Sequence, residues 1–364
     1  MHGGDIYRQQ VTYDFSVNIN PIGLPDAVRQ VMENSGDLAM QYPDLQCQKL
    51  RIKLADCLGI RPEQILCGNG ASELILAVCH MLRPKKALLS APCFSGYETA
   101  LQAVGTEVIR VPLSEADGFA FTEEYGRKLE TRIKEEKPEL LFLTTPNNPT
   151  GVIYHEETMK KMAGILEKKE KEIGHEIYLI SDEPYRELVY DGNQEDFLTK
   201  YYRNTIVGYS FSKSLSLPGE RIGYLVIPDE ADGSEELISA ATIANRTLGC
   251  VNAPSLIQKV VAKCVDEKTD LAAYDKNRQA LYNGLKECGF ECIKPQGAFY
   301  LFVKSPVADE KAFCEAGKKY NILMVPGSSF ACPGYVRLAY CVSYDTIVNS
   351  LPEFKKLAAE YGLK

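Results

Sequence analysis

The sequence predicts an α/β protein: a large lobe whose mostly parallel central sheet lies between helices, and a smaller α+β lobe after it. Three observations carry this. Between about Leu66 and Ile227 short apolar runs alternate with amphipathic stretches, as expected of alternating strands and helices. After Gly249 that alternation gives way to a long helical stretch with a few strands behind it. The 364 residues, 45% of them hydrophobic, also exceed what one minimal core requires.

In chain order, the first 40 or so residues show little periodicity. "DFSVNINPIGLP" is dense in turn formers (Asn18, Asn20, Pro21, Gly23, Pro25), so it reads as an extended arm. Strands are expected at 87–90, 107–111, 140–144, 177–181, 205–210 and 223–227, with helices such as 72–82, 97–104 and 156–172 between them. The C-terminal part predicts a helix over 255–287, strand-like segments at 291–293 and 299–303, a helix over 309–320, a strand at 336–341 and a last helix over 346–361. The resulting division is an arm with part of the small lobe (1–35), a large lobe (36–250) and a small C-terminal lobe (251–364). No internal repeat suggests a solenoid.

Composition narrows the function. A formal net charge of -8, without a long basic block, argues against nucleic acid and anionic membranes as partners. No stretch reaches the roughly 20 apolar residues of a membrane span, and no basic run precedes an apolar one at the start, so a soluble cytoplasmic protein is expected. The twelve cysteines form no CxxC pair and only four histidines accompany them, which reads as reduced core thiols, with no metal site or disulfide frame.

Four segments carry chemistry. "CGNGASELI" places Gly68 and Gly70 ahead of a helix starting near Ser72, with Glu73 in its first turn. It suits a phosphate cradle as well as a plain capped turn. "TTPNNPTGVIY" crowds prolines and asparagines at a strand exit, either as a tight turn or to hold the Asn148 amide over the sheet's carboxyl edge. "YLISDEPYREL" ends a strand on Asp182 and Glu183, with Tyr185 three residues beyond Asp182. A carboxylate there either caps a helix or faces a protonated pyridine nitrogen. "SFSKSLSLPGER" joins Ser210, Ser212, Lys213 and Arg221. Lys213 is a solvated loop lysine in isolation, and a nucleophile toward carbonyls if burial and neighbouring cations disfavour its charge. Taken jointly, the four describe one cofactor, pyridoxal 5′-phosphate.

The ordered set GNGASE, NNPTG, SDEPY, SFSKSLSLPGERIGY and YVRLAY resembles the fold-type-I, class I/II aminotransferases over nearly the whole chain. The resemblance implies the PLP-transferase fold, with 36–250 as the cofactor-binding lobe. It implies Lys213 as the lysine joined to the cofactor as an aldimine and later as proton carrier, and Asp182 as partner of the pyridine nitrogen. Tyr185 and Asn148 would bond the phenolic oxygen, and Phe94 of "APCFSGY" would stack on the ring. Gly70, Ala71, Ser72, Ser210, Ser212 and Arg221 would hold the phosphate. Arg337 of "YVRLAYC" would bind the substrate α-carboxylate, with Asn148 and Ile19 as further substrate contacts. Tyr42 of "QYPD" would reach the phosphate of a neighbouring subunit, implying a homodimer with shared active sites.

"MHGGDIY", "YDFSVNINPIGLP" and "MQYPDLQ" resemble the start of threonine-phosphate decarboxylases of corrinoid synthesis and, less closely, of histidinol-phosphate aminotransferases. The later motifs look like general amino-acid aminotransferases. Transfer of an amino group between an amino acid and a 2-oxo acid is the reading. A threonine-phosphate decarboxylase and a non-catalytic, PLP-binding regulatory protein are the alternatives. Side-chain recognition is expected from residues 17–22, Tyr7, Arg8 and residues 245–252. Arg8 or Arg246 would bind a substrate phosphate or acid, or serve as a surface ion-pair residue.

Overall fold

The computed structural model describes residues 11–20, 23–194 and 198–363. Tyr7, Arg8, Pro21 and Ile22 lie outside the described residues.

The large lobe is built on a seven-stranded sheet in the order Ile65–Gly68, Gly223–Val226, Thr205–Ser210, Tyr178–Asp182, Leu140–Thr144, Lys86–Ala91 and Glu107–Pro112. Only Gly223–Val226 runs antiparallel to its neighbours. Leu140–Thr144 and Thr205–Ser210 are buried along their whole length, as strands covered on both faces must be. Alternate side chains therefore feed two cores. Leu89, Phe142, Ile180 and Ile206 pack with Leu74, Tyr97 and Leu237 on one face. On the other, Leu88, Leu141 and Leu179 meet Leu129, Ile133 and Leu166, while Val207, Tyr209 and Val226 meet Leu50, Leu54 and Ile257.

The small lobe pairs Tyr300–Lys304 antiparallel with Tyr335–Ala339, and the latter with Val325–Pro326. Tyr13–Asp14 runs parallel to Ile322–Leu323, so part of the arm is a strand of this lobe. Its core gathers Phe15, Tyr274, Leu281, Phe299, Tyr300, Phe313 and Phe354, and Tyr185 and Leu188 of the large lobe pack into it.

Three expectations change. The N-terminal segment is extended only in part: Asp26–Glu33 is an α-helix and Gly36–Met40 a 3-10 turn. Eight residues are too short for a periodicity reading, and the helix is held on the core by the buried Val28 with the partly buried Ala27, Val31 and Met32. The helix over 255–287 is two helices, Ser255–Cys264 and Leu271–Glu287. Asp270 caps the second by accepting from Ala273 N at 3.0 Å, and Thr269 Oγ1 donates to Ser214 O at 2.8 Å, which holds the break. The segment 291–293 is no strand; Cys292 forms an isolated bridge to Val303.

Candidate active site

Four neighbouring parallel strands end side by side: Thr144 is in register with Asp182, and Asp182 with Gly208. The segments leaving them bring Asn148, Asp182, Tyr185, Ser210, Ser212, Lys213, Phe94 and Arg221 to one cleft of about 460 Å³. Ile19, Ala71 and Ser72 line it too, together with Asn18 of the expected 17–22 segment and with Tyr97 and Thr144, for which the sequence suggests no role. This is the carboxyl edge of the sheet, where open α/β folds bind ligands.

Asp182 closes its strand and is buried. Tyr97 Oη donates to its Oδ2 at 2.6 Å and lies 2.6 Å from Thr144 Oγ1. Among the described residues Asp182 Oδ1 has no hydrogen-bond partner. Burial pushes this carboxyl up to about 7, with Tyr97 opposing and Glu183 adding to the effect. A buried carboxylate with one oxygen left over suits a cationic N–H donor, and a protonated pyridine nitrogen is one.

Lys213 lies in the short helix Phe211–Ser214, whose cap is the Ser210 hydroxyl accepting from Ser212 N at 3.2 Å. Its Nζ donates to Asn18 O at 2.9 Å. Burial lowers the amine to about 8, and the nearby Arg337 and Arg221 push the same way. This is the condition under which a lysine attacks a carbonyl.

At the other end, Ser210 Oγ and Ser212 Oγ are 2.8 Å apart and Arg221 Nη1 reaches Ser212 Oγ at 3.5 Å. Gly70, at φ 85, precedes the helix Ala71–Leu82, and a Cβ there would lie 2.7 Å from Arg221 Nη2. Only glycine leaves that backbone open to the guanidinium. Two hydroxyls, a guanidinium and a helix start form an anion cradle, and they fit a phosphate. Asn69 Nδ2 donates to Glu73 Oε1 at 3.1 Å, and Asn245 Nδ2 to the same oxygen, which pins the glycine loop. Asn245 is thereby buried in a structural bond, and Arg246 is exposed outside the cleft lining.

Arg337 stands buried in the middle of Tyr335–Ala339. Its Nη1 donates to Asn148 Oδ1 at 2.9 Å and its Nη2 to Asn18 Oδ1 at 3.4 Å, while its Nε has no partner among the described residues. The Nε edge of the guanidinium is left for a forked acceptor such as a carboxylate. Tyr185 Oη lies 2.7 Å from Tyr300 Oη, and burial raises the Tyr185 phenol well above its ordinary range. Tyr42 is not brought to the cleft of its own chain: it is fully exposed, beside the exposed Met40.

A family model described as "Aminotransferase class I and II" matches residues 11–350. The chain is 28% identical over 315 residues to a probable aspartate/prephenate aminotransferase of Aquifex aeolicus, covering 82% of this chain and 77% of that protein. It is 31% identical over 304 residues to a probable N-acetyl-LL-diaminopimelate aminotransferase of Bacillus subtilis, covering 79% and 72%. The crystal structure of an aminotransferase from Eubacterium rectale superposes with a TM-score of 0.86 at 39% identity, over 96% of this chain and 90% of that one. With the match spanning both lobes and every segment that lines the cleft, the chain belongs to the class I and II aminotransferases, pyridoxal 5′-phosphate-dependent enzymes that move an amino group between an amino acid and a 2-oxo acid.

Proposed function

We propose that transamination takes place in the cleft around Lys213, with Lys213 as covalent attachment point and proton carrier. The observation that carries this reading is the pair of buried atoms without a hydrogen-bond partner among the described residues, Asp182 Oδ1 and Arg337 Nε, in the site that also holds an amine lowered to about 8. One is an acceptor awaiting a cation, the other a donor awaiting an anion. A pyridine ring and a substrate carboxylate supply both.

When bound, the cofactor supplies an electron sink for the bond broken at the substrate Cα. The chain supplies the rest. Asp182 holds a proton on the ring nitrogen by pairing with it, and Phe94 covers the ring. Tyr185 and Asn148 bond the phenolic oxygen, and Gly70, Ala71, Ser72, Ser210, Ser212 and Arg221 hold the phosphate. Arg337 fixes the α-carboxylate, with Asn148 and Ile19 beside it. Lys213, its amine free when substrate is bound, would take the proton from the substrate Cα and pass it to the cofactor carbon that receives the amino group. Keeping the carboxylate gripped by Arg337 favours loss of the Cα hydrogen over loss of carbon dioxide, which is why transamination is preferred to decarboxylation here.

We further propose a homodimer in the cytoplasm, with the exposed Tyr42 completing the phosphate site of the neighbouring subunit. No helix among the described residues is long and apolar enough to cross a membrane. The arm, large lobe and small lobe remain our division, with the boundary after residue 250 moved to the gap behind Cys264. Ile257, Val260 and Val261 are buried with the large-lobe side chains Val207 and Tyr209, which supports that placement.

The test is Lys213→Ala. The purified variant is expected to lose both turnover and the absorbance of covalently held cofactor, and persistence of both would remove the lysine assignment. Wild-type protein incubated with a panel of amino acids, with 2-oxo acid and carbon dioxide measured separately, is expected to yield the oxo acid.

A further inference from the structure

Tyr300 opens the strand Tyr300–Lys304 and is completely buried. It touches two of the groups assigned above. Its hydroxyl is 2.7 Å from that of Tyr185, with the rings nearly perpendicular and their centroids 5.5 Å apart. Its ring face carries the Arg337 guanidinium, whose Cζ stands 4.3 Å from the ring centroid. Tyr185 comes from the loop after Asp182 in the large lobe, and Arg337 from the small-lobe strand paired with that of Tyr300.

We propose that Tyr300 is a positioning residue for the reaction, its hydroxyl orienting the Tyr185 phenol toward the cofactor while its ring holds the Arg337 guanidinium in place for the substrate carboxylate. The proposal rests on the roles given to Tyr185 and Arg337 under Proposed function.

Two phenols carry two protons, and their mutual bond uses one. Whenever Tyr185 donates to a third oxygen, its own oxygen can only accept from Tyr300, so Tyr300 must be the donor. A donor at that oxygen polarises the Tyr185 O–H and strengthens its outgoing bond by about 10–30%. The ring contact acts separately: a desolvated guanidinium over an aromatic face is held in both position and plane. Tyr300 therefore joins the phenol that faces the cofactor to the cation that faces the substrate.

The Arg337 guanidinium also stands 4.8 Å from the Phe330 ring centroid, and Phe299 packs on the rings of both tyrosines. Tyr185 faces Arg337 and Asp182, Tyr300 faces Arg337 and Cys341, and Lys213 faces Arg337, Arg221 and Cys341. Cys341 is raised to about 12 by burial and stays neutral through the range of the test.

The test is a spectrophotometric pH titration of the cofactor joined to Lys213, in wild type, Tyr300→Phe, Tyr185→Phe and the double variant. Tyr185 stabilises an anionic phenolic oxygen and so favours the deprotonated form. Tyr185→Phe is expected to raise the titration midpoint. Tyr300→Phe is expected to raise it in the same direction by less, with a roughly two- to fourfold larger protonation constant. The double variant is expected to match Tyr185→Phe alone. Tyr300→Phe keeps the ring and should leave KM for the amino acid within about twofold, whereas Tyr300→Leu should raise KM about tenfold. Free pyridoxal 5′-phosphate absorbs in the same window, so unbound cofactor is removed by gel filtration before each titration, and unfolded protein, which retains none, then does not enter the reading. A wild-type midpoint in Tyr300→Phe, or a shift that adds to that of Tyr185→Phe, overturns the proposal. Lys213→Ala separates the two levels. If its pH-dependent band persists, the site assignment and this proposal fall together. If Lys213→Ala and Tyr185→Phe behave as expected and Tyr300→Phe is silent, only the role of Tyr300 is lost.

Discussion

Replacing Asp182 by Asn should have opposite consequences with and without cofactor. In the cofactor-free protein the carboxyl is pushed up from 3.8 to about 7 by burial, and one of its oxygens has no partner among the described residues. The folded state thus binds a proton more tightly than the unfolded chain. The resulting cost to stability is absent below about 3.8, grows as pH rises, and is complete above about 7. The gap between the two values corresponds to roughly 4 kcal/mol at pH 8 and about 2 kcal/mol at pH 5. Asp182→Asn removes the ionisation and with it this dependence. Urea unfolding of both cofactor-free proteins from pH 5 to 8 should show the variant gaining on wild type by about 2–3 kcal/mol across that range.

With cofactor bound the sign reverses. Asp182 then has a cationic N–H to pair with, and removing one member of a buried, hydrogen-bonded charge pair costs about 2–5 kcal/mol. Turnover of the variant should fall by about 10²–10³-fold, with weaker cofactor retention. A stability difference between wild type and variant that stays flat from pH 5 to 8 would refute the desolvated carboxylate. Undiminished turnover would refute its role toward the ring nitrogen.

Covalent attachment of pyridoxal 5′-phosphate to the cofactor-free protein requires the neutral Lys213 amine, which burial lowers to about 8. Its rate should therefore climb with pH and level off above about 8; stopped-flow absorbance showing a climb continuing toward 10 would contradict the burial argument. Glu183 is completely buried and bridged to Arg186 at 2.6 Å. Glu183→Gln should destabilise the protein by about 2–3 kcal/mol by replacing the ionic member of this buried charge-assisted bond with a neutral amide, while Arg186 keeps Glu187 and the Tyr209 ring beside it. It should also weaken cofactor retention, since Asp182 and Tyr185 share that loop. A loss below about 1 kcal/mol in chemical denaturation would place the pair nearer solvent than the structure does.

Much of this site was legible because its chemistry is concentrated at strand exits, where apolar runs stop and polar residues begin. Asp182, Asn148, Lys213 and Arg221 stand out against such runs, and the fold brings them to one cleft. Tyr97 and Tyr300 were not legible in the same way. Each lies within a helix or strand whose apolar pattern an aromatic side chain satisfies, so the sequence cannot reveal where the hydroxyl points. Asn18 shows the same limit from the other side: in the arm it is a turn former, and only the fold places its carbonyl on Lys213 and its amide oxygen on Arg337. The break between Cys264 and Leu271 was missed because the polar run 266–270 keeps the periodicity of an exposed helix, while Asp270 restarts the helix as a cap.

The segment from Ser181 to Glu187 explains why the strand exit is so densely charged. Asp182 and Tyr185 line the cleft, while the buried Glu183, the half-buried Arg186 and the exposed Glu187 lie outside its lining and bond to groups behind it. Glu183 accepts from Ser181 Oγ at 2.7 Å and from Arg186 Nε at 2.8 Å, and the Arg186 guanidinium lies 5.2 Å from the Tyr209 ring centroid. Tyr209 Oη donates to Glu187 Oε1 at 2.7 Å and is 2.8 Å from Ser214 Oγ, the residue after Lys213. One phenol therefore ties the loop bearing the carboxylate to the helix bearing the lysine. An apolar floor of equal volume would fill the space, but it would leave the two strand ends free to shift independently. A polar floor whose members satisfy one another fixes Asp182 and Lys213 relative to each other before any cofactor binds, which is what a site that must hold a ring by its nitrogen and attack its aldehyde requires.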